Sequence, residues 1–264
     1  MKLSKKIIGS IVLSSLLLLS ACTSGDVSEG GAINKIKERG VLKVGVKVDV
    51  PKFGYKDPAT EEVAGMEIDI AKSIAKEILG DENKVEVQGV SAKTRGPLLD
   101  NGEIDLVIAT FTITDERKET YNFSDAYFED GVGLLVKKDA GVKSLKDLDG
   151  KTIGVSQTST TRAALEKAAG DQGITLKFSE YATYPEIKAA LDSGRVQCFA
   201  VDAAILNGYV DDSSVILEDR YSPQEYGVAS KKSNTDLAEL VNKTIKDMKD
   251  SGELDSLIEK WEIK

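Results

Sequence analysis

The stretch IATFTITDERK, residues 108–118, sets hydroxyls at Thr110, Thr112 and Thr114 just ahead of the guanidinium of Arg117. Threonine suits a strand, and Thr114 is placed to cap a helix that begins DERKET. Arg117 then falls near the third helical position, where a cation opposes the helix dipole. An anion held there gains from the guanidinium, from free backbone N–H groups and from the dipole together. Arginine can grip a carboxylate through two parallel hydrogen bonds. The segment reads either as a capped, wet strand end or as a carboxylate site.

Two other segments carry complementary chemistry. Asp202 closes the apolar run CFAVD. It reads as a helix cap for AAILNGYV or as an anion suited to an ammonium group. SQTSTT, residues 156–161, offers hydroxyls and backbone donors between a strand and a helix. It reads as a Ser/Thr-rich cap or as a second set of carboxylate donors. One anion site and one cation site together are what an α-amino acid needs.

The elements that position these residues alternate. INKIKERG predicts a short helix closed by Gly40, VLKVGV a strand, and MEIDIAKSIAKEILG an amphipathic helix ended by Gly80. KVEVQGV, TRGPLLDNG and IDLVIAT continue as strand, helix and strand, and DGVGLLVKK adds another strand. The pattern restarts at KTIGVS and runs through STTRAALEKAAG, TLKFSEY, TYPEIKAALDSG and VQCFAV. QEYGVASKK is strand-like, and the chain closes with two helical pieces. Such alternation predicts an α/β fold with parallel sheets flanked by helices. LLDNGEIDLVIAT (98–110) echoes ALDSGRVQCFAVD (190–202), which sets Thr110 opposite Asp202. Both stand at the C-terminal end of a parallel strand, where open α/β sheets bind ligands.

The chain has 264 residues, room for one large domain or two smaller ones. With 41% hydrophobic and 30% charged residues it reads as globular rather than disordered. It contains no histidine, which removes Ser-His-Asp and Cys-His catalysis and the commonest zinc ligand. MKLSKK followed by IIGSIVLSSLLLLS reads as a signal peptide over residues 1–21. LSAC, ending at Cys22, resembles a lipobox, so Cys22 is the expected lipidation site and residues 22–31 a polar tether. The mature chain would be held at the cell membrane by lipid, on the extracytoplasmic face, without spanning it. Cys198 is then the sole cysteine of the mature domain and is expected to be a buried small hydrophobe. The signal contains three lysines and no acid, so 32 basic side chains face 44 acidic ones in the mature chain, a balance of −12. That surface repels nucleic acid and anionic lipid. An anionic ligand must be caught by local cations.

The segments LKVGVKVDVPKFGY, GMEIDIAKSIAKEILG, KTRGPLLDNGEIDLVIATFTITDERKETYNFSDAYF, GVGLLVKK, LDGKTIGVSQTSTT, YPEIKAALDSGRVQCFAVD and YGVASKK span nearly all of the mature chain. Together they resemble the solute-binding lipoproteins of ABC importers for polar amino acids. The resemblance implies the two-lobed periplasmic-binding-protein type II fold. Lobe 1 would hold 32–132 and 228–264, lobe 2 would hold 137–223, and two hinge crossings would fall near 131–136 and 224–228. By family role, Arg117 clamps the ligand α-carboxylate with Thr112 and the backbone of Thr110. Thr158 and Thr160 or Thr161 approach it from lobe 2, Asp202 takes the α-ammonium, and Phe53 packs on the ligand. Asp125-Ala126 stands where the family commonly has a proline before the tyrosine, and Gln197-Cys198 where it often has aspartate and a small residue.

Lys47, Arg95 and Tyr184 further resemble the aspartate/glutamate-binding subgroup, where the matching positions hold a side-chain carboxylate. A count of Arg117, Arg95 and Lys47 against Asp202 matches a ligand with two carboxylates and one ammonium. The expectation is an acidic L-amino acid, with glutamine or another polar amino acid such as cystine as the alternative. The expected partners are an ABC permease and its ATPase, and the protein is expected to be a monomer that needs no cofactor or metal. An enzyme or a sensor on the same scaffold are the rival readings.

Overall fold

The computed structural model describes residues 31–263. The expected signal peptide, Cys22 and the tether up to residue 30 lie outside the described residues. The chain runs α1 (Ala32–Arg39), β1 (Leu42–Val46), β2 (Asp49–Val50), β3 (Gly54–Lys56), β4 (Val63–Ala64), α2 (Met66–Leu79), β5 (Val85–Gly89), α3 (Arg95–Asn101), β6 (Leu106–Ile108), α4 (Asp115–Thr120) and β7 (Tyr121–Phe123). It continues through β8 (Phe128–Lys137), β9 (Thr152–Ser156), α5 (Thr161–Gln172), β10 (Lys177–Tyr181), α6 (Tyr184–Asp192), β11 (Cys198–Asp202), α7 (Ala203–Leu206), β12 (Ser214–Ile216) and β13 (Tyr221–Tyr226). β14 (Ala229–Lys231), α8 (Thr235–Asp250) and α9 (Glu253–Lys260) complete it.

Two sheets make two lobes. Lobe 1 is built on the order β5-β1-β6-β14-β7 and lobe 2 on β10-β9-β11-β8-β12. β1 is parallel to β5 and β6, and β9 is parallel to β10 and β11, as the alternating pattern predicts. β14 and β8 run antiparallel to their neighbours because each enters from the other lobe and needs no crossover helix. Helix α2 shows how the sequence dictates its packing. Ile70, Ile74 and Ile78 recur at four-residue spacing on the buried face, and Gly80 ends the helix at a φ of 72°. The small sheet β2-β3-β4 was not expressed in the alternation of long elements.

The lobes are joined by a two-stranded ribbon. β8 pairs antiparallel with β13 from Phe128 opposite Tyr226 to Gly131 opposite Pro223. The sequence places the first crossing at 131–136, but Val132 to Leu135 pair with β11 and Leu135 to Lys137 with β12, inside the lobe 2 sheet. The crossing is therefore the stretch around 128–131. The reason is burial: the run from Val132 to Val136 is wholly buried, whereas Glu129 and Asp130 are not. The second crossing, around 223–228, lies opposite it.

The lobes stand closed on one another. A single apolar core joins Phe53, Tyr127 and Tyr226 to Tyr184, Phe199 and Val201. A second core, of Val132, Leu134, Val136, Ile153, Val155, Leu165 and Cys198, lies within lobe 2. Cys198 is fully buried there, and burial pushes its thiol up from the ordinary range.

Candidate functional site

The end of β6 is shaped by one buried carboxylate. Thr110 adopts a φ of 44°, a left-handed conformation that L side chains disfavour by roughly 1–2 kcal/mol. Glu67, at the start of α2, holds it there: Glu67 Oε1 accepts from the Thr110 N–H at 2.6 Å and from the Tyr127 hydroxyl at 2.6 Å. The bend directs the Ala109 and Thr110 carbonyls at Arg95, whose Nη1 donates to them at 2.6 and 3.2 Å. Glu67 is wholly buried, and burial pushes its carboxyl up, while the bonds from Tyr127 and Thr110 pull it back.

Arg117 follows as the sequence predicts. Thr114 caps α4, its hydroxyl accepting from the Arg117 N–H at 3.1 Å. The Arg117 guanidinium donates to the Thr112 carbonyl at 2.7 Å and, across the cleft, to the Thr158 carbonyl at 3.3 Å. Among the described residues its acceptors are carbonyls, and no carboxylate pairs with it. Burial, with Arg95 next in weight, lowers it to about 9. Both guanidinium groups lie against the Phe111 ring, Arg95 at 4.0 Å and Arg117 at 4.6 Å from its centroid.

Lobe 2 brings Asp202 to this point. Asp202 occupies the N-cap position of α7, yet its side chain makes no capping bond. Asp130, from the ribbon, does that work by accepting from the Ala204 N–H at 2.7 Å. Asp202 is thereby left for the cleft, where the Tyr226 hydroxyl donates to it. Burial pushes its carboxyl up to about 7, with the Tyr226 bond opposing.

Thr112 and Thr160 meet a residue that sequence reasoning missed. Both hydroxyls donate to Gln224 Oε1, at 2.9 and 2.7 Å. Gln224 lies in β13 and is buried, so one amide ties lobe 1 to lobe 2. Thr158 adopts a φ of 58°, and Thr161 is buried in the first turn of α5.

Next to this group stand Lys47, Arg95 and Tyr184, all buried. The Lys47 ammonium lies 4.5 Å from the Tyr184 ring centroid. It is also 2.9 Å from Asp49 Oδ1. Burial lowers its pKa, and Asp49 opposes that. Burial pushes the Tyr184 phenol well above its ordinary range. Arg95 Nε and Glu67 Oε2 are buried and have no partner among the described residues. Phe53 packs edge-on against Phe128 and Tyr226, under the phenol that holds Asp202.

The structure thus gathers Lys47, Arg95, Thr110, Thr112, Arg117, Thr158, Thr160, Tyr184 and Asp202 around one interlobe cleft. It also corrects the charge count. Asp49 and Glu67 were left out, and with them three cations face three anions. Asp49 follows Lys47 by two residues, but β1 ends at Val46 and β2 begins at Asp49, so no shared strand face announced the pair. Among the described residues no group of three metal-ligating side chains is present.

Comparison with known proteins identifies the family. A family model described as bacterial extracellular solute-binding proteins, family 3, matches residues 42–264. The ABC transporter glutamine-binding protein GlnH of Bacillus subtilis is 40% identical over 262 residues, covering 95% of this chain and 94% of the relative. The glutamine-binding protein of Geobacillus stearothermophilus is 43% identical over 239 residues, covering 84% and 90%. An L-glutamate/L-aspartate-binding protein of Pseudomonas aeruginosa is 29% identical over 253 residues, covering 92% and 83%. Among solved structures, the P235GK mutant of ArgBP from T. maritima superposes with a TM-score of 0.78 at 33% identity, covering 87% and 98%. The expected likeness to the aspartate/glutamate subgroup is therefore corrected: the chain is more similar to the glutamine-binding relatives.

Proposed function

The chain belongs to family 3 of the bacterial extracellular solute-binding proteins, and from that premise we propose that it captures a polar L-amino acid, glutamine first, between its lobes. It is an extracytoplasmic amino acid-binding protein of ABC-type import and not an enzyme. The observation that carries glutamine is the balance of charge in the cleft. Lys47, Arg95 and Arg117 are offset by Asp49, Glu67 and Asp202, so a zwitterion with a neutral side chain leaves no charge over. A side-chain carboxylate would enter uncompensated, and an unpaired buried charge costs on the order of 3–5 kcal/mol.

In this reading Arg117 receives the α-carboxylate and Asp202 the α-ammonium. An amino acid would replace the weak Arg117–Thr158 contact with a charge-assisted one. Lys47, Arg95 and Tyr184 line the side-chain end, and Phe53 supports the wall beside Asp202. Closure works as a trap, because Arg117 and Asp202 sit on opposite lobes and engage one ligand together in the closed form alone. The loaded protein, a monomer held to the membrane by lipid at Cys22, delivers its ligand to an ABC permease.

One observation favours an acidic ligand as a second reading. Burial pushes Glu67 up. A neutral Glu67 would leave one surplus cation beside the unpartnered Arg95 Nε. Calorimetry of the chain from residue 26 onward, unfolded and refolded to strip bound ligand, separates the two. Tight glutamine binding with weaker glutamate and aspartate supports the proposal. The reverse order sinks the choice of side chain and leaves the two-lobed trap standing.

A further inference from the structure

Asp49 stands at the junction of selectivity and closure. Its carboxylate is bonded on both oxygens. Oδ1 holds the Lys47 ammonium at 2.9 Å, and Oδ2 accepts from the Tyr184 N–H at 3.3 Å, in the first turn of α6. Lys47 is from lobe 1 and α6 from lobe 2. The Asp49 carbonyl also accepts from the Tyr209 hydroxyl of lobe 2. Beside it Pro51 fits against Gly208 so closely that an added Cβ would lie 2.8 Å from the proline ring. The pair is dry: the Lys47 side chain is 2% exposed and that of Asp49 13%.

A lysine facing a polar ligand is usually taken as a reader of negative charge. Here the ammonium already has its counter-ion, and that counter-ion is pinned from the other lobe whenever the cleft is shut. We propose that Asp49 is a specificity-determining residue: by holding the Lys47 ammonium in an internal ion pair, it lowers the cleft's preference for a carboxylate side chain over an amide. The inference rests on the reading of the cleft as an amino acid site, and deepens it.

The test is calorimetric titration of L-glutamine and L-glutamate into four proteins: wild type, Asp49→Asn, Lys47→Met and the double variant. Asp49→Asn frees the ammonium and shifts the affinity ratio toward glutamate by about tenfold or more, the least expected of an unscreened charge pair in a dry cleft. Lys47→Met leaves a lone carboxylate and shifts the ratio the other way. The double variant leaves no charge unpaired, so it folds even if a single variant does not, and its ratio returns to within about threefold of wild type. A double variant that loses glutamate selectively by about tenfold overturns the proposal, because Lys47 would then read the ligand directly. A ratio unmoved in Asp49→Asn overturns it as well. Tyr209→Phe cuts a cross-lobe bond without changing charge. It weakens both ligands by the same factor, and a shifted ratio there would assign selectivity to closure instead of charge. The wild-type preference tests the choice of glutamine separately. If wild type prefers glutamate, that choice fails while the shifts among variants still decide the role of Asp49. If wild type binds neither, both fall together.

Discussion

Ligand affinity is expected to fall steeply below neutral pH, and Asp202 is the reason. Burial in the closed cleft lifts its carboxyl from 3.8 to about 7, against the bond from Tyr226. That lift is worth ~4 kcal/mol in favour of the neutral acid. An α-ammonium favours the carboxylate, so binding must expel the proton wherever the pH lies below about 7. Linkage then sets the slope at about one decade of affinity per pH unit. If the ammonium returns the carboxyl to its ordinary range near 4, affinity at pH 5 is about a hundredfold below that at pH 8. The effect on the empty protein has the opposite sign. A carboxyl raised in the folded state holds a proton that the unfolded chain has lost, so ligand-free stability declines as pH rises from about 4 to about 7. Calorimetry in buffers of different ionisation enthalpy reads the proton directly. About one proton should be released per ligand near pH 5.5 and about none near pH 8.5. Asp202→Asn should lose affinity and lose the slope. A wild-type affinity flat from pH 5 to pH 8, with no dependence on buffer, would refute the assignment of Asp202 to the ammonium.

Other perturbations test the remaining parts of the cleft. Arg117→Ala should weaken every amino acid by more than about a hundredfold, the cost of ~3–5 kcal/mol for an unpaired buried carboxylate. Binding of glutamine within tenfold of wild type would count against the α-carboxylate role. Gln224→Leu strands the Thr112 and Thr160 hydroxyls, costing the closed form ~1–3 kcal/mol. Stopped-flow release should quicken accordingly, and an unchanged off-rate would show that the amide does not hold the lobes. Asp130→Ala removes the cap of α7 and should lower stability to urea by ~1 kcal/mol. An unaltered midpoint would mean that Asp202 takes over the capping.

What the sequence made legible is what short-range chemistry decides. Thr114 and Arg117 are three residues apart, so cap and cation could be read together. The echo between 98–110 and 190–202 located Thr110 and Asp202. In both copies the glycine after the helix, Gly102 and Gly194, adopts a φ of 76°, and a strand follows. The long-range partners were not legible. Gln224 lies 112 residues from Thr112, and within QEYGVASKK it looked like any strand residue. Glu67 lies 43 residues from Thr110, and in MEIDIAKSIAKEILG it passed for the polar face of an amphipathic helix. Asp49 drew no notice beside Lys47, because β1 ends at Val46 and the two residues share no strand. The expectation of an acidic ligand rested on the same gap: cations were counted on cleft-lining segments while their counter-ions, fixed by tertiary contact, were not. The first hinge crossing was misplaced for a related cause, since a ten-residue strand does not announce where it changes neighbours.

The ribbon between the lobes also makes the protein modular. Gly131 faces Pro223 in the β8–β13 ladder, so lobe 2 enters and leaves at adjacent points, as an insert would. Two cuts in the gene, at facing codons, would graft a whole lobe from a relative while keeping the ladder register. Asp202 and Tyr184 travel with the graft. Arg117, Arg95, Lys47 and Asp49 stay behind. Recombination at this seam would therefore exchange Tyr184 and Tyr209, which bond Asp49 from lobe 2, while the lobe 1 groups they meet stay in place, which gives a lineage of such proteins a way to vary one lobe against a constant partner.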